Sequence, residues 1–310
     1  MFINLVAPIN PLGYGVVGFN VLKHLMMAGH NLSYFPIGQP QWDTDQSAVE
    51  MIQMVAKNAE YFDPKAPSIR VWHQHDLAMF PGGGERIGWP IFELNKFNDR
   101  EMHHLGSVDK LFVCSQWAKD IVEQNGLEVP TCVVPLGVDT DVFFIDEEAA
   151  KRRPYHTHGS TVFINVGKWE VRKGHNELLE AFCMAFTPED NVELWMLNHN
   201  PFIGMGNEEW KRKYIASPMG GKIKILPRVN SQNDLRKIYN QVDFGVFPSH
   251  AEGWNLEILE LMACGKPSIA TNYSGHSEFL RPEYSYLIEP NGFEDAHDGL
   301  GGRWFSGQGQ

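Results

Sequence analysis

The chain has 310 residues, 43% of them hydrophobic and 21% charged, which excludes a disordered tail protein and a collagen-like repeat. With 26 basic and 38 acidic residues the formal net charge is -12, and such a chain repels phosphate backbones at long range, which argues against nucleic acid as its main partner. The length suits two modest domains of roughly 100–200 residues each, or one large one.

In chain order, residues 2–6 read as a buried strand and residues 10–15 as a glycine-bearing turn. Val17, Val21, Leu22, Leu25 and Met26 then recur at helical spacing until Gly29. Short apolar strands follow at residues 32–37, 69–72, 110–114 and 131–134, with a helix over 116–124. Strands alternating with helices predict a parallel sheet covered on both faces. After Gly137-Val138-Asp139, which reads as a domain-crossing elbow, the pattern gives way to a charged, proline-ended stretch. It restarts with a strand at 161–166, a loop at 167–174 and a helix through Leu178, Leu179 and Phe182. Further strands fall at 192–197, 223–226, 244–247 and 268–270. The expected organisation is a Rossmann-like domain at 1–145, a linker at 146–160 and a second Rossmann-like domain at 161–310. The glycine-rich last dozen residues, with Gly299, Gly301, Gly302, Gly307 and Gly309, are expected to pack poorly.

No stretch approaches the ~18 uninterrupted apolar residues of a membrane span. The opening apolar run is short and lacks a basic leader. Cys114, Cys132, Cys183 and Cys264 form no Cys-x-x-Cys pair, as in a reducing compartment. The expectation is a cytoplasmic protein without a transmembrane segment.

The strongest signal runs from Pro248-Ser249-His250-Ala251-Glu252-Gly253-Trp254-Asn255-Leu256 through Glu260 to Gly265-Lys266-Pro267. A strand leads through a polar turn into an amphipathic helix, so the N–H groups of Asn255 and Leu256 lie at a helix start, a ready anion site. Glu252 before the helix and Glu260 two turns inside it share a side. One faces a group held at the helix mouth, and the other accepts hydrogen bonds from hydroxyls further along. The plainer alternative is a capped core helix with solvated glutamates. A second signal is Gly167-Lys168-Trp169-Glu170-Val171-Arg172-Lys173-Gly174, where Lys168 and Lys173 suit a diphosphate that has no metal to compensate its charge. Gly13, Gly15 and Gly18 open the first helix with the spacing of a dinucleotide-binding turn. Yet the second strand ends Pro36-Ile37-Gly38-Gln39, without the acid that a nicotinamide ribose needs. His73 and His75 share a face at a strand end but have no further ligand cluster for a metal.

These segments together, from Gly13 to about Glu278, resemble the retaining, nucleotide-sugar-dependent glycosyltransferases of the GT-B fold, family four (group 1). The resemblance implies two Rossmann-like domains facing a cleft, the second holding the donor and the first the acceptor surface. It implies that Glu260 binds the ribose hydroxyls, that Glu252 lies beside the transferred sugar and that His75 reaches that sugar from the first domain. Gly13 and Gly15 would meet the donor phosphates, and Lys168 stands where an arginine is usual, which keeps the charge without the bidentate fork. Asn255 replaces a usual glycine, and asparagine tolerates the positive φ of such a turn. Family members usually continue with helices past this chain's Gln310, so the C-terminal closing helices are expected to be missing.

The implied site is therefore His75 and Glu252 as catalytic residues, with Gly13, Gly15, Lys168, Lys173, Asn255, Leu256 and Glu260 as donor-binding residues and no metal or cofactor. The partners expected are a nucleotide sugar and a carbohydrate, lipid or protein acceptor, with contact at a membrane surface left open. Asp43-Thr44-Asp45 and Asp139-Thr140-Asp141 match the metal-binding Asp-x-Asp of the other glycosyltransferase fold, but neither closes an isolated apolar strand. Trp42, Trp89, Trp254 and Trp304 are candidates to stack on an acceptor sugar, although tryptophan is more often packed. Two other readings stand beside this one: a non-catalytic nucleotide-sugar-binding protein on the same scaffold, and a nicotinamide-dependent oxidoreductase.

Overall fold

The computed structural model describes residues 1–41, 46–152, 159–229, 231–298 and 306–309. Trp42, the Asp43-Thr44-Asp45 run, residues 153–158 of the linker, Gly299, Gly301, Gly302 and Trp304 lie outside the described residues. Contacts divide the chain into two units, Met1–Leu136 and Gly137–Gln310.

The first unit carries β1 (Phe2–Ala7), α1 (Gly13–Met27), β2 (Asn31–Pro36), α2 (Gln46–Lys57), β3 (Ser68–Val71), β4 (Arg86–Trp89), α3 (Asp99–Gly106), β5 (Lys110–Val113), α4 (Gln116–Gln124) and β6 (Thr131–Val133). Its six strands are parallel, in the order β2-β1-β3-β4-β5-β6. The order reverses between β1 and β3, so the loops leaving those two strands flank the crevice where open α/β sheets take their ligands. Leu111 and Val113 of β5 and Ile121 and Val122 of α4 form one core with Leu77, Phe92 and Leu105.

The second unit opens with α5 (Glu147–Arg152). It continues through β7 (Thr161–Gly167), α6 (His175–Ala185), β8 (Val192–Asn198), α7 (Gly206–Ile215), β9 (Ile223–Ile225), α8 (Gln232–Tyr239), β10 (Phe244–Phe247), α9 (Leu256–Ala263), β11 (Ser268–Thr271) and β12 (Ser285–Ile288). These strands are also parallel, in the order β12-β11-β10-β7-β8-β9. Here the order reverses between β7 and β10. The period of two along β8 explains its burial on both faces. Trp195 and Leu197 enter a core with Ile238 of α8 and Ile258 and Leu261 of α9. Leu194 and Met196 enter another with Leu178 and Phe182 of α6 and Tyr214 of α7.

The expected pair of doubly wound parallel sheets is what the chain forms. Several details differ from the sequence expectation. Val138, Val142 and Phe143 join the core of the second unit, so that unit begins before the expected linker. Part of that linker is α5, and Asn240 accepts a hydrogen bond from the Asp146 N–H at 2.7 Å. In the tail, residues 306–309 pair antiparallel with Asp295–His297.

Candidate functional site

The loops after β7 and β10 meet at the reversal of strand order in the second unit. Gly174 has φ 68°, and a Cβ there would lie 2.0 Å from the Pro248 carbonyl oxygen, so only glycine lets the two loops approach this closely. The His250 N–H donates to the Arg172 carbonyl at 2.8 Å and fastens them.

An alternating chain of charges forms between these loops. Lys168 Nζ lies 2.5 Å from Glu170 Oε1, and Arg172 Nη2 lies 3.0 Å from Glu170 Oε2. Arg172 Nη1 lies 2.8 Å from Glu252 Oε2, and Lys173 Nζ lies 2.9 Å from Glu252 Oε1 and 3.5 Å from Glu257 Oε1. Arg172, Lys173 and Glu252 are each 5% exposed or less, so each ionised group depends on its partners. Burial pushes the Glu252 carboxyl up, but Arg172 and Lys173 reverse that and hold it well below the usual carboxylate range. Burial pulls the Lys173 ammonium down, and Glu252 and Glu257 together raise it above its ordinary value. Ser249 donates to Glu252 Oε1 at 2.8 Å, and the Glu252 N–H donates to Ser274 Oγ at 2.8 Å.

His175 anchors this loop from beneath. Its Nε2 lies 2.9 Å from the Lys168 carbonyl, which can only accept, so Nε2 carries the proton. Burial pushes the His175 imidazole down to about 4, and the ring is neutral at pH 7.

Asn255 is the N-cap of α9, with a φ of 70° and no side-chain cap hydrogen bond. The first-turn amides of α9 therefore have no side-chain cap from Asn255, and Glu257 in that turn is the residue that meets Lys173. Glu260 is 7% exposed, and Tyr239 OH reaches its Oε2 at 3.4 Å. Burial and the nearby Glu257 raise its carboxyl well above the ordinary value.

In the first unit the glycine turn and the histidine pair come together at the other reversal. Tyr14 packs on Trp72 and His73 with centroids 5.4 and 4.5 Å apart, and His73 stacks on His75 at 5.2 Å. Tyr14 OH donates to the Ile91 carbonyl at 2.6 Å and accepts from the Ile91 N–H at 3.0 Å. A Cβ at Gly15 would lie 2.3 Å from the backbone of Asn10, whereas Gly13 faces open space. α1 has neither a side-chain cap nor an acid in its first turn. α3 braces the histidine segment: Gln74 Nε2 donates to Glu101 at 3.0 Å and Arg100 Nε donates to the His75 carbonyl at 3.1 Å. Burial and the Arg100 charge lower the His75 imidazole from its ordinary value.

The site residues expected from sequence thus form two groups, Lys168, Lys173, Glu252, Asn255, Leu256 and Glu260 in one unit and Gly13, Gly15 and His75 in the other. Sequence reading passed over Arg172, Glu257, Gln74 and Arg100. Arg172 carried a signal, since it sits between the two lysines expected to hold the diphosphate. Asp139 accepts from the Asp141 N–H at 3.1 Å, so that Asp-x-Asp is a turn. Among the described residues no group of three or more His, Cys, Asp or Glu could hold a metal ion. Trp89 and Trp254 are buried, packed on Phe112 and Phe279 respectively, and do not present faces for stacking.

Residues 160–300 match the family model described as glycosyl transferases group 1. That segment is similar to the group 1 glycosyl transferases, and the loops after β7 and β10, α9 and Glu260 all lie inside it. Its relatives include the D-inositol 3-phosphate glycosyltransferase of Geodermatophilus obscurus, 30% identical over 179 residues, which are 55% of this chain and 39% of that protein. The mannosylfructose-phosphate synthase of Agrobacterium fabrum is 24% identical over 263 residues, 79% of this chain and 55% of that one. The matched part of the chain therefore spans less than two thirds of these relatives. The sucrose-phosphate synthase of Thermosynechococcus elongatus superposes with a TM-score of 0.73 at 14% identity, covering 94% of this chain and 86% of that one. Anabaena HepE, solved with UDP-glucose, superposes with a TM-score of 0.72 at 16% identity over 94% and 86% of the two chains. At such identities the likeness shows the fold, and the two doubly wound units are of the GT-B type.

Proposed function

We propose that this protein transfers a hexosyl group from a nucleotide-diphosphate sugar to an acceptor, with retention of configuration and without a metal ion. The observation that carries this reading is the buried ammonium of Lys173 beside the uncapped start of α9, at the strand-order reversal of the segment similar to group 1 glycosyl transferases. In the reaction the bond from the anomeric carbon to the diphosphate breaks, and its electron pair leaves with the phosphate oxygen. The acceptor oxygen forms the new bond to that carbon, and its proton passes to the departing diphosphate.

Catalysis in this reading is leaving-group stabilisation. Lys168, Lys173 and the amides of Asn255 and Leu256 take up the charge developing on the diphosphate. Glu252 favours positive charge on the sugar, and Glu260 accepts hydrogen bonds from the ribose hydroxyls. The second unit is the donor domain. The first contributes the acceptor surface, with Gly13 and Gly15 for phosphate contacts and His75 for the sugar. No separate cofactor enters the scheme. The acceptor is a carbohydrate, a lipid or a protein. Among the described residues no helix is long and apolar enough to cross a membrane. A cytoplasmic setting belongs to the same reading, supported by four free cysteines.

A donor screen tests the proposal. UDP- and GDP-sugars are incubated with the protein in the presence and absence of EDTA, and slow hydrolysis is followed by nucleotide release. Hydrolysis of one donor, unchanged by EDTA, is the expected result. Tight binding without turnover would establish the non-catalytic reading instead, and preference for dinucleotides would establish the oxidoreductase.

A further inference from the structure

We propose that the side-chain carboxamide of Asn255 reads hydroxyl groups of the sugar being transferred, which makes this residue a determinant of donor-sugar choice; the inference rests on the donor reading above. Asn255 is 5% exposed and holds φ 70° and ψ 73°. Its Nδ2 and its Oδ1 are both buried without a hydrogen-bond partner. A buried carboxamide with neither end satisfied is unfavourable, and so is positive φ at any residue with a Cβ. Glycine would remove both penalties and keep the turn. The fold therefore gains nothing from asparagine here, and a ligand is the natural partner.

The two orphan atoms specify that ligand's chemistry. Nδ2 only donates and Oδ1 only accepts. An ionised phosphate oxygen would satisfy Nδ2 but repel Oδ1. A sugar hydroxyl both donates and accepts, so neighbouring hydroxyls satisfy both ends at once. Position agrees with this. Asn255 is the N-cap of α9, adjoining the uncapped amides and within three residues of Glu252, which is paired with Lys173. Phosphate held by those amides and that lysine would carry its attached sugar next to the N-cap.

The test compares wild type with Asn255→Gly by calorimetric titration with UDP, GDP and a panel of UDP- and GDP-hexoses. Glycine preserves the backbone amides and the left-handed turn, and a melting curve checks that the variant folds. The expected result is at least a tenfold loss of affinity for the preferred nucleotide sugar, with affinity for its parent nucleoside diphosphate within about twofold of wild type. Deoxy analogues of that sugar should reveal a ring position at which wild type discriminates and the variant does not. Equal affinities in the two proteins would mean that water alone satisfies the carboxamide and would overturn the inference. An equal loss for sugar and nucleoside diphosphate would overturn it too, by assigning the effect to phosphate. Failure of wild type to bind any member of the panel would overturn the donor reading itself, and this inference with it.

Discussion

At Lys173 a positive charge persists where burial alone would remove it. Glu252 at 2.9 Å and Glu257 at 3.5 Å keep the ammonium charged across the neutral range. If that charge stabilises a departing diphosphate, Lys173→Ala should lower turnover at least tenfold, at ~1.4 kcal/mol per decade. Steady-state kinetics with a separate melting curve check this, because removing one member of a buried pair also destabilises the fold. An unchanged rate removes Lys173 from the mechanism. Arg172 shares Glu252 with Lys173 and donates to the Ala251 carbonyl at 2.6 Å, so its guanidinium orients the Glu252 carboxylate. Arg172→Met should draw Lys173 further onto Glu252 and raise the Glu252 carboxyl pKa. The acid limb of the pH–rate profile would then move upward, and Arg172→Lys should restore part of the wild-type profile. A profile unmoved in Arg172→Met would assign the residue to folding alone. Sequence showed Arg172 as a third cation but could not show its direction, because a short 3-10 turn has no apolar stripe to orient it.

Among the elements, α9 was the most legible. Directly after β10 its turn, helix and stop follow within residues 248–267, and each has its own residue preference. Glu260 lies on the buried side, where its carboxyl is raised well above the ordinary value. If ribose hydroxyls donate to it, they favour the ionised form, so nucleotide binding should release a proton. Affinity would then rise with pH until the free-state pKa is passed. Calorimetry in buffers of different ionisation enthalpy measures the released proton, and Glu260→Ala should both weaken nucleotide binding and abolish the release. Wild-type affinity in that variant would contradict the role. The turn between β7 and α6 depends instead on one contact. Gly174→Ala places a Cβ against the Pro248 carbonyl at positive φ, and it should destabilise the second unit by about 3 kcal/mol or more, as measured by denaturant melts. β4 and β12 escaped the reading of strands. β4 has Gly88 inside it and ends before Pro90, and β12 is a four-residue strand at the sheet edge with Tyr286 exposed.

For the whole molecule, buried ionisable groups link stability to pH. The His175 imidazole falls from 6.5 to about 4 on folding, so the unfolded chain binds the extra proton between those values. Its contribution is complete above pH 6.5 and is lost as pH falls towards 4, amounting to up to about 3 kcal/mol. Glu252 and Glu170, both held below the ordinary carboxylate value, act in the same sense at lower pH. Glu260 acts in the opposite sense, since its raised carboxyl costs stability as pH rises. The His175 share is therefore read as a difference. Between pH 7.5 and 4.5, His175→Gln should lose stability less steeply than wild type in urea melts. Parallel slopes would show that the ring is not held neutral.

Alternating apolar strands and helical stripes were enough to determine a doubly wound α/β chain, because burying one face of each element is a local demand with a local period. The Glu252–Glu260 spacing and the neighbouring lysines were likewise legible, since they lie on one short segment or on one loop. Only the tertiary structure decided which charges share a partner. Arg172 meets Glu252, and Gly174 meets Pro248, because β7 and β10 are neighbours in the sheet although β8 and β9 separate them in the chain. That adjacency comes from the reversal of strand order, and no periodicity within a segment encodes it.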